Sequence, residues 1–81
     1  MRIRVLVFAR LRELLDGGER SLRLPEGASV EDAWDALVAE FPAIAQERRC
    51  TRVARNGRLG SFDDGLNDGD ELALLPPVGG G

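Results

Sequence analysis

Two consecutive prolines close the last extended segment of this chain, and they limit what can follow it. Glu71-Leu72-Ala73-Leu74-Leu75 reads as a strand, entered through an Asp68-Gly69-Asp70 turn. Pro76 and Pro77 lack the N–H that a sheet ladder needs and hold φ near −65°, so the strand ends there. Leu75 and Pro76 each precede a proline and are biased toward extended backbone. The chain is therefore predicted to leave the sheet straight. Beyond lie Val78, Gly79, Gly80 and Gly81, which span about 13–14 Å when extended at about 3.3–3.6 Å per residue. Terminal glycines ordinarily fray. These follow a core strand through a stiff spacer, and a tail without side chains can thread a narrow channel and present its carboxylate inside another protein. Ordering three glycines costs about 3–6 kcal/mol, so affinity for a partner has to come from a docking surface on the globular part.

The reactive inventory points the same way. The 81 residues contain no His, no Tyr and no Lys, and one cysteine, Cys50. The usual general bases, Schiff-base formers and nucleophile partners are missing, so the chain is not expected to be an enzyme by itself. A lone cysteine forms no internal disulfide, and no Cys/His spacing suggests a metal site. Cys50 is expected as a small half-buried residue entering a strand. The net charge is −3 with both signs interleaved, which disfavours nucleic acid as a partner. No apolar run approaches the ~20 residues of a membrane span, and no signal pattern opens the chain, so no membrane partner and a cytoplasmic location are expected. Eleven Arg with no Lys fit avoidance of amines that an activated acyl group would attack. A biased nucleotide composition accounts for them just as well and is the preferred cause.

In order, residues 2–10 read as a strand with Ile3, Val5, Val7 and Ala9 on the core face and Phe8 on the other. A short helix over Leu11–Leu15 is stopped at Gly17-Gly18. Ser21–Leu24 alternates as a second strand, antiparallel to the first. Ser29 caps the clearest helix, with Asp32 completing a variant capping box. Val30, Ala33, Trp34, Leu37, Val38 and Phe41 form its apolar stripe, with Trp34 and Phe41 as core, and Pro42 closes it. Ala43–Arg48 adds an irregular or helical turn. Thr51–Arg55 is a strand ending at Asn56-Gly57, the strongest hairpin signal in the chain, and Arg58–Phe62 returns as a short edge strand. The Asp-rich turns at 63–65 and 67–70 lack calcium-loop spacing and flanking helices. This order predicts an α+β layer pair of β-grasp type, a mixed sheet of about five strands with one long helix packed across it. The first and last strands lie parallel at its centre. Residues 1–77 form the domain and 78–81 a flexible glycine tail.

Val5-Leu6-Val7-Phe8-Ala9-Arg10-Leu11-Arg12-Glu13-Leu14 and, above all, the run from Leu66 through Asp68-Gly69-Asp70 to Leu75-Pro76-Pro77-Val78-Gly79-Gly80-Gly81 resemble the small, sulfur-carrying subunit of molybdopterin synthase, a ubiquitin-like β-grasp family. The resemblance covers the whole chain. Family members commonly carry a small polar residue where Gly79 stands, and many have an aromatic at the position of Leu75. The resemblance implies that an ATP-dependent activating enzyme adenylates Gly81 and that a sulfur donor protein then leaves a thiocarboxylate there. The Gly80-Gly81 tail next enters the large catalytic subunit, which passes the sulfur to cyclic pyranopterin monophosphate. ATP is used by the activating partner, and no cofactor is bound by the carrier. Two carriers on a large-subunit dimer make a heterotetramer. Phe8, Leu59 and Leu75 match hydrophobic docking positions of the family, with Pro76, Pro77, Val78 and Gly79 leading the tail into the partner. Other roles remain open: a carrier for thiamine or tRNA thiolation, a ubiquitin-like protein modifier joined through Gly81, and, more weakly, a non-reactive interaction domain for which Gly81 is dispensable.

Overall fold

A computed structural model describes residues 1–77; the tail residues Val78, Gly79, Gly80 and Gly81 lie outside the described residues. The chain runs β1 (Arg2–Val7), α1 (Ala9–Leu14), β2 (Glu19–Arg23), α2 (Val30–Glu40), a 3-10 segment (Pro42–Cys50), β3 (Arg52–Arg55), β4 (Arg58–Gly60) and β5 (Glu71–Leu75). The five strands form one mixed sheet in the order β2-β1-β5-β3-β4. The central pair, β1 and β5, is parallel, with Arg4 opposite Glu71 and Val7 opposite Leu74. The other pairings are antiparallel. This is the β-grasp arrangement that the order of elements predicts.

Helix α2 forms where its sequence signals place it. Ser29 Oγ accepts from Asp32 N at 3.2 Å, and Ser29 N donates to the Asp32 carboxylate at 2.9 Å, so the capping box is complete and contributes about 1 kcal/mol. Val30, Ala33, Trp34 and Leu37 are buried on its inner face. They pack against Ile3, Val5 and Val7 of β1, Leu72 and Leu74 of β5 and Val53 of β3 in a single core. β1 and β5 give alternate residues to that core because side chains alternate across a pleated sheet. The Asn56-Gly57 turn has both residues at positive φ, +52° and +84°, as a two-residue hairpin of the favoured hand requires.

Several expectations change. The first strand stops at Val7 instead of running to Arg10. Ala9, expected on the core face, is exposed and opens α1 at φ +52°, a left-handed turn that removes it from the pleat. Asp16 (φ +58°), not a glycine, provides the left-handed residue after α1. The N–H groups of Asp16 and Gly17 donate to the carbonyls of Glu13 and Arg12 at 3.3 and 3.1 Å, a full Schellman closure. Phe41 is half-buried at the end of α2, with the Arg20 guanidinium 4.6 Å from its ring centre. Val38 is also half-buried. Cys50 is exposed and ends the 3-10 segment, because that segment extends farther than the Ala43–Arg48 turn and delays β3 to Arg52.

One polar group is buried at the base of the sheet. The Asp70 carboxylate accepts from Asn56 Nδ2 at 2.9 Å and Asn67 N at 2.8 Å and faces Arg55 Nη1 at 3.5 Å. Asn56 Oδ1 in turn accepts from Glu71 N at 2.9 Å, and Asn56 N donates to Glu71 O at 2.8 Å. The β3–β4 turn is thereby fastened to the start of β5. Hydrogen bonding from Asn56, then from Asn67, holds the Asp70 carboxyl below its ordinary range. A folded-state pKa below the unfolded one gives stability that is complete above the unfolded value, about 3.9, and is lost as pH falls through the lowered folded value. Asp70→Ala leaves donors without an acceptor and is expected to cost about 1–3 kcal/mol. Thermal unfolding should show a lower Tm by about 4–8 °C per kcal/mol at neutral pH, with the gap to wild type closing below about pH 4.

Candidate functional site

Among the described residues no helix lies over the outer face of the sheet, and strand register decides what that face displays. Leu6 pairs with Ala73, Ala73 with Ala54, and Ala54 with Leu59. Paired residues share a face, so these four side chains form an apolar row across β1, β5, β3 and β4. At about 4.8 Å per strand the row is about 14 Å wide. Above it, Arg52 pairs with Leu75. Phe8 keeps extended backbone (φ −136°, ψ 163°) one residue beyond Val7, which points its ring to the same side as Leu6. Phe8 is 43% exposed and Leu59 68%, the exposed large hydrophobic residues of the described chain. Burying them is a gain that awaits a partner.

Of the docking residues expected from the sequence, the structure brings Phe8 and Leu75 together. Both line a small hollow of about 50 Å³ with Pro76 and Pro77, where the chain leaves the sheet. Leu59 lies on the same face but at the far edge, linked to them through Ala54 and Ala73. Pro76 and Pro77 are exposed beyond β5. Val78, Gly79, Gly80 and Gly81 lie outside the described residues. The hollow is well below the roughly 300–1,000 Å³ of a small-molecule site, so its place is beside a docking surface. Leu6, Ala54 and Ala73 were not singled out in the sequence. The available signal was Leu6, an apolar residue out of phase with Val5 and Val7; the two alanines join the patch only through pairing.

Charge surrounds the apolar row. Arg4 bridges Glu71 and Glu19 below it, and Arg52 and Arg10 stand at the upper end, Arg10 paired with Glu47 at 3.2 Å. These exposed pairs add little stability, roughly 0–1 kcal/mol each. They give the patch a polar rim, the usual build of a non-obligate interface. Among the described residues no group of three or more His, Cys, Asp or Glu is placed to hold a metal ion, and no helix is long and apolar enough to cross a membrane.

Known proteins share this architecture and most of its length. The sequence model of the ThiS family matches residues 5–81. The molybdopterin synthase sulfur carrier subunit of Arabidopsis thaliana is 37% identical over 79 residues, covering 98% of this chain and 82% of that protein. The protein of the same name from Escherichia coli K12 is 41% identical over 83 residues, covering 98% and 99%. In the crystal structure of SAMP1 from Haloferax volcanii, the likeness covers all of both chains with a TM-score of 0.84 at 34% identity.

The two faces should respond differently to one substitution. Leu59→Asp is expected to change stability by no more than about 0.5 kcal/mol, as at other open surface positions. Leu74→Asp places a carboxylate in the core and should prevent cooperative folding. Circular dichroism melts of the two variants check the contrast.

Proposed function

The chain belongs to the ThiS family, and from that membership we propose that it is the sulfur carrier subunit of a molybdopterin synthase, with Gly81 as its transfer group. The observation that carries this reading is the exposed apolar face that ends, through Pro76 and Pro77, at the root of a Gly-Gly-Gly terminus. Relatives 37% and 41% identical over nearly the whole chain are named as sulfur carrier subunits. A subunit of this kind works in a partner's active site, which suits a chain without His, Lys or Tyr.

In this reading residues 1–77 are the docking body and 78–81 the transferable tail. A carboxylate is a poor electrophile. Its oxygen therefore attacks the α-phosphorus of ATP on an activating enzyme, and pyrophosphate leaves. The terminal sulfur of a donor persulfide then attacks the Gly81 carbonyl carbon and AMP leaves. A thiol cleaves the resulting acyl disulfide and is itself oxidised, freeing the thiocarboxylate. Phe8, Leu59 and Leu75, with Leu6 between them, dock on the large catalytic subunit. Pro76, Pro77, Val78 and Gly79 then lead Gly80-Gly81 to the pterin precursor. The carrier binds no cofactor of its own.

A second reading is favoured by the likeness to SAMP1, a protein named as a small archaeal modifier. Under it, Gly81 is joined to amines of other proteins. Mass spectrometry of cellular conjugates separates the two, since a modifier leaves Gly81 linked to lysines of several targets.

Removing Gly81 should abolish sulfur transfer to the pterin precursor while Tm and binding to the large subunit stay near wild type. Intact-mass measurement after co-purification should show one oxygen-to-sulfur exchange in the full chain only. Sulfur transfer by the shortened chain would refute the assignment. Phe8→Asp and Leu59→Asp should each raise the Kd for the large subunit about 30-fold, the size of a hot-spot loss of about 2 kcal/mol. Titration calorimetry reads this directly.

A further inference from the structure

The register and the composition together bear on what an activated tail meets on its own body. The strand that carries the tail pairs at Leu75 with Arg52, and Arg10 lines the hollow that Pro76 and Pro77 border. Both arginines are exposed. The basic groups at the tail root are therefore guanidinium groups, that of Arg10 paired with Glu47 of the same hollow. A guanidinium stays protonated and has no lone pair to offer at any physiological pH. A lysine there, with pKa near 10.4, would be neutral and nucleophilic in about 0.4% of molecules at pH 8.

The Met1 amine lies out of reach of the chain's own tail. The Met1 ammonium donates to Leu24 O at 2.7 Å. It lies at the opposite end of the sheet, because β1 and β5 are parallel and the tail leaves at the Val7 end. Seven residues of extended chain separate Met1 from Phe8, about 23 Å. Pro76 to Gly81 spans about 20–22 Å at full stretch, so even a tail doubled back along the sheet falls short of Met1.

We propose that Arg10 and Arg52 supply positive charge at the tail root in a form that cannot be acylated, so that the activated tail is not captured by its own body. An activated Gly81 then stays available to another protein. The reaction avoided is aminolysis. An amine nitrogen attacks the Gly81 carbonyl carbon, a C–N bond forms, the C–O bond to AMP or the C–S bond of a thioester breaks, and the amine loses a proton to solvent. The proposal rests on Gly81 being the activated group.

The test uses chemistry installed by hand, so it stands apart from whether a cell activates Gly81. The full chain is prepared as a Gly81 alkyl thioester at about 10 μM, pH 8, and followed by intact mass after hydroxylamine, which cleaves thioesters, including any exchanged onto Cys50, and spares amides. Wild type should yield no amide-linked cyclic monomer, only hydrolysed or hydroxylamine-cleaved chain and a slow dimer joined through Met1. Arg52→Lys and Arg10→Lys should give amide-linked cyclic monomer, and Arg23→Lys, at the far end of β2, only slow amide-linked dimer. The near lysines should react on the order of a hundredfold faster than the far one, the ratio of a ~mM effective concentration to 10 μM. Amide products from wild type at the rate of Arg52→Lys, or equal rates for the near and far lysines, would overturn the proposal.

Discussion

A five-stranded sheet with its helices on one side has to leave its other side bare, and that one-sidedness is the constraint on which the rest of the molecule depends. Alternation along each strand sends Ile3, Val5, Val7, Val53, Leu72 and Leu74 to the helical layer, where they are almost wholly buried. The intervening positions must then face outward. In β1 and β5 they are not uniformly polar: Leu6, Ala73 and Leu75 are only partly covered. The same pleat therefore builds the core and the apolar row opposite it. A one-residue slip of β5 against β1 would exchange the two faces, so the core fixes the register and the register fixes the patch.

The polar knot around Asp70 couples the distant parts of that patch. Leu59 belongs to the β3–β4 hairpin and Leu75 to β5, and their relative placement depends on how the hairpin sits against the last strand. Asn56 spans that junction through its amide side chain and its backbone, and Asp70 holds Asn56 in turn. On the helical side, Arg48 stacks 3.3 Å from the centre of the Phe62 ring while its Nη2 reaches Glu31 at 2.7 Å, and Phe62 meets Trp34 edge-on. That stack closes the open end between α2 and the segment after β4. A cation over an aromatic face contributes roughly 0.5–2 kcal/mol.

Much of this was legible in the sequence wherever one local rule acted alone. Ser29 with Asp32, Asn56-Gly57 and Pro76-Pro77 each mark a boundary that the structure keeps, because capping, hairpin handedness and the missing proline N–H need no tertiary help. Phe8 could be placed outside the core because it falls out of phase with the buried residues, and Leu59 because it sits on a short edge strand. What stayed hidden needed information from elsewhere in the fold. Nothing local tells a strand to end at Val7, since Ala9 takes a left-handed turn that alanine ordinarily avoids. The burial of Asp70 depends on Asn56, fourteen residues away. Ala54 and Ala73 enter the patch only through cross-strand pairing, which no periodicity within one strand reveals.

The central parallel pair also has a mechanical meaning. β1 and β5 run side by side in the same direction, with four consecutive register pairs from Arg4–Glu71 to Val7–Leu74. A pull on the chain beyond Pro77 against an anchored N-terminus draws β5 along β1 in shear. The interstrand bonds then share the load, whereas an antiparallel hairpin pulled from its open end unzips one bond at a time. Force applied through the tail is therefore borne along a seam loaded in shear, and the body can be tugged by its end without being unravelled from it.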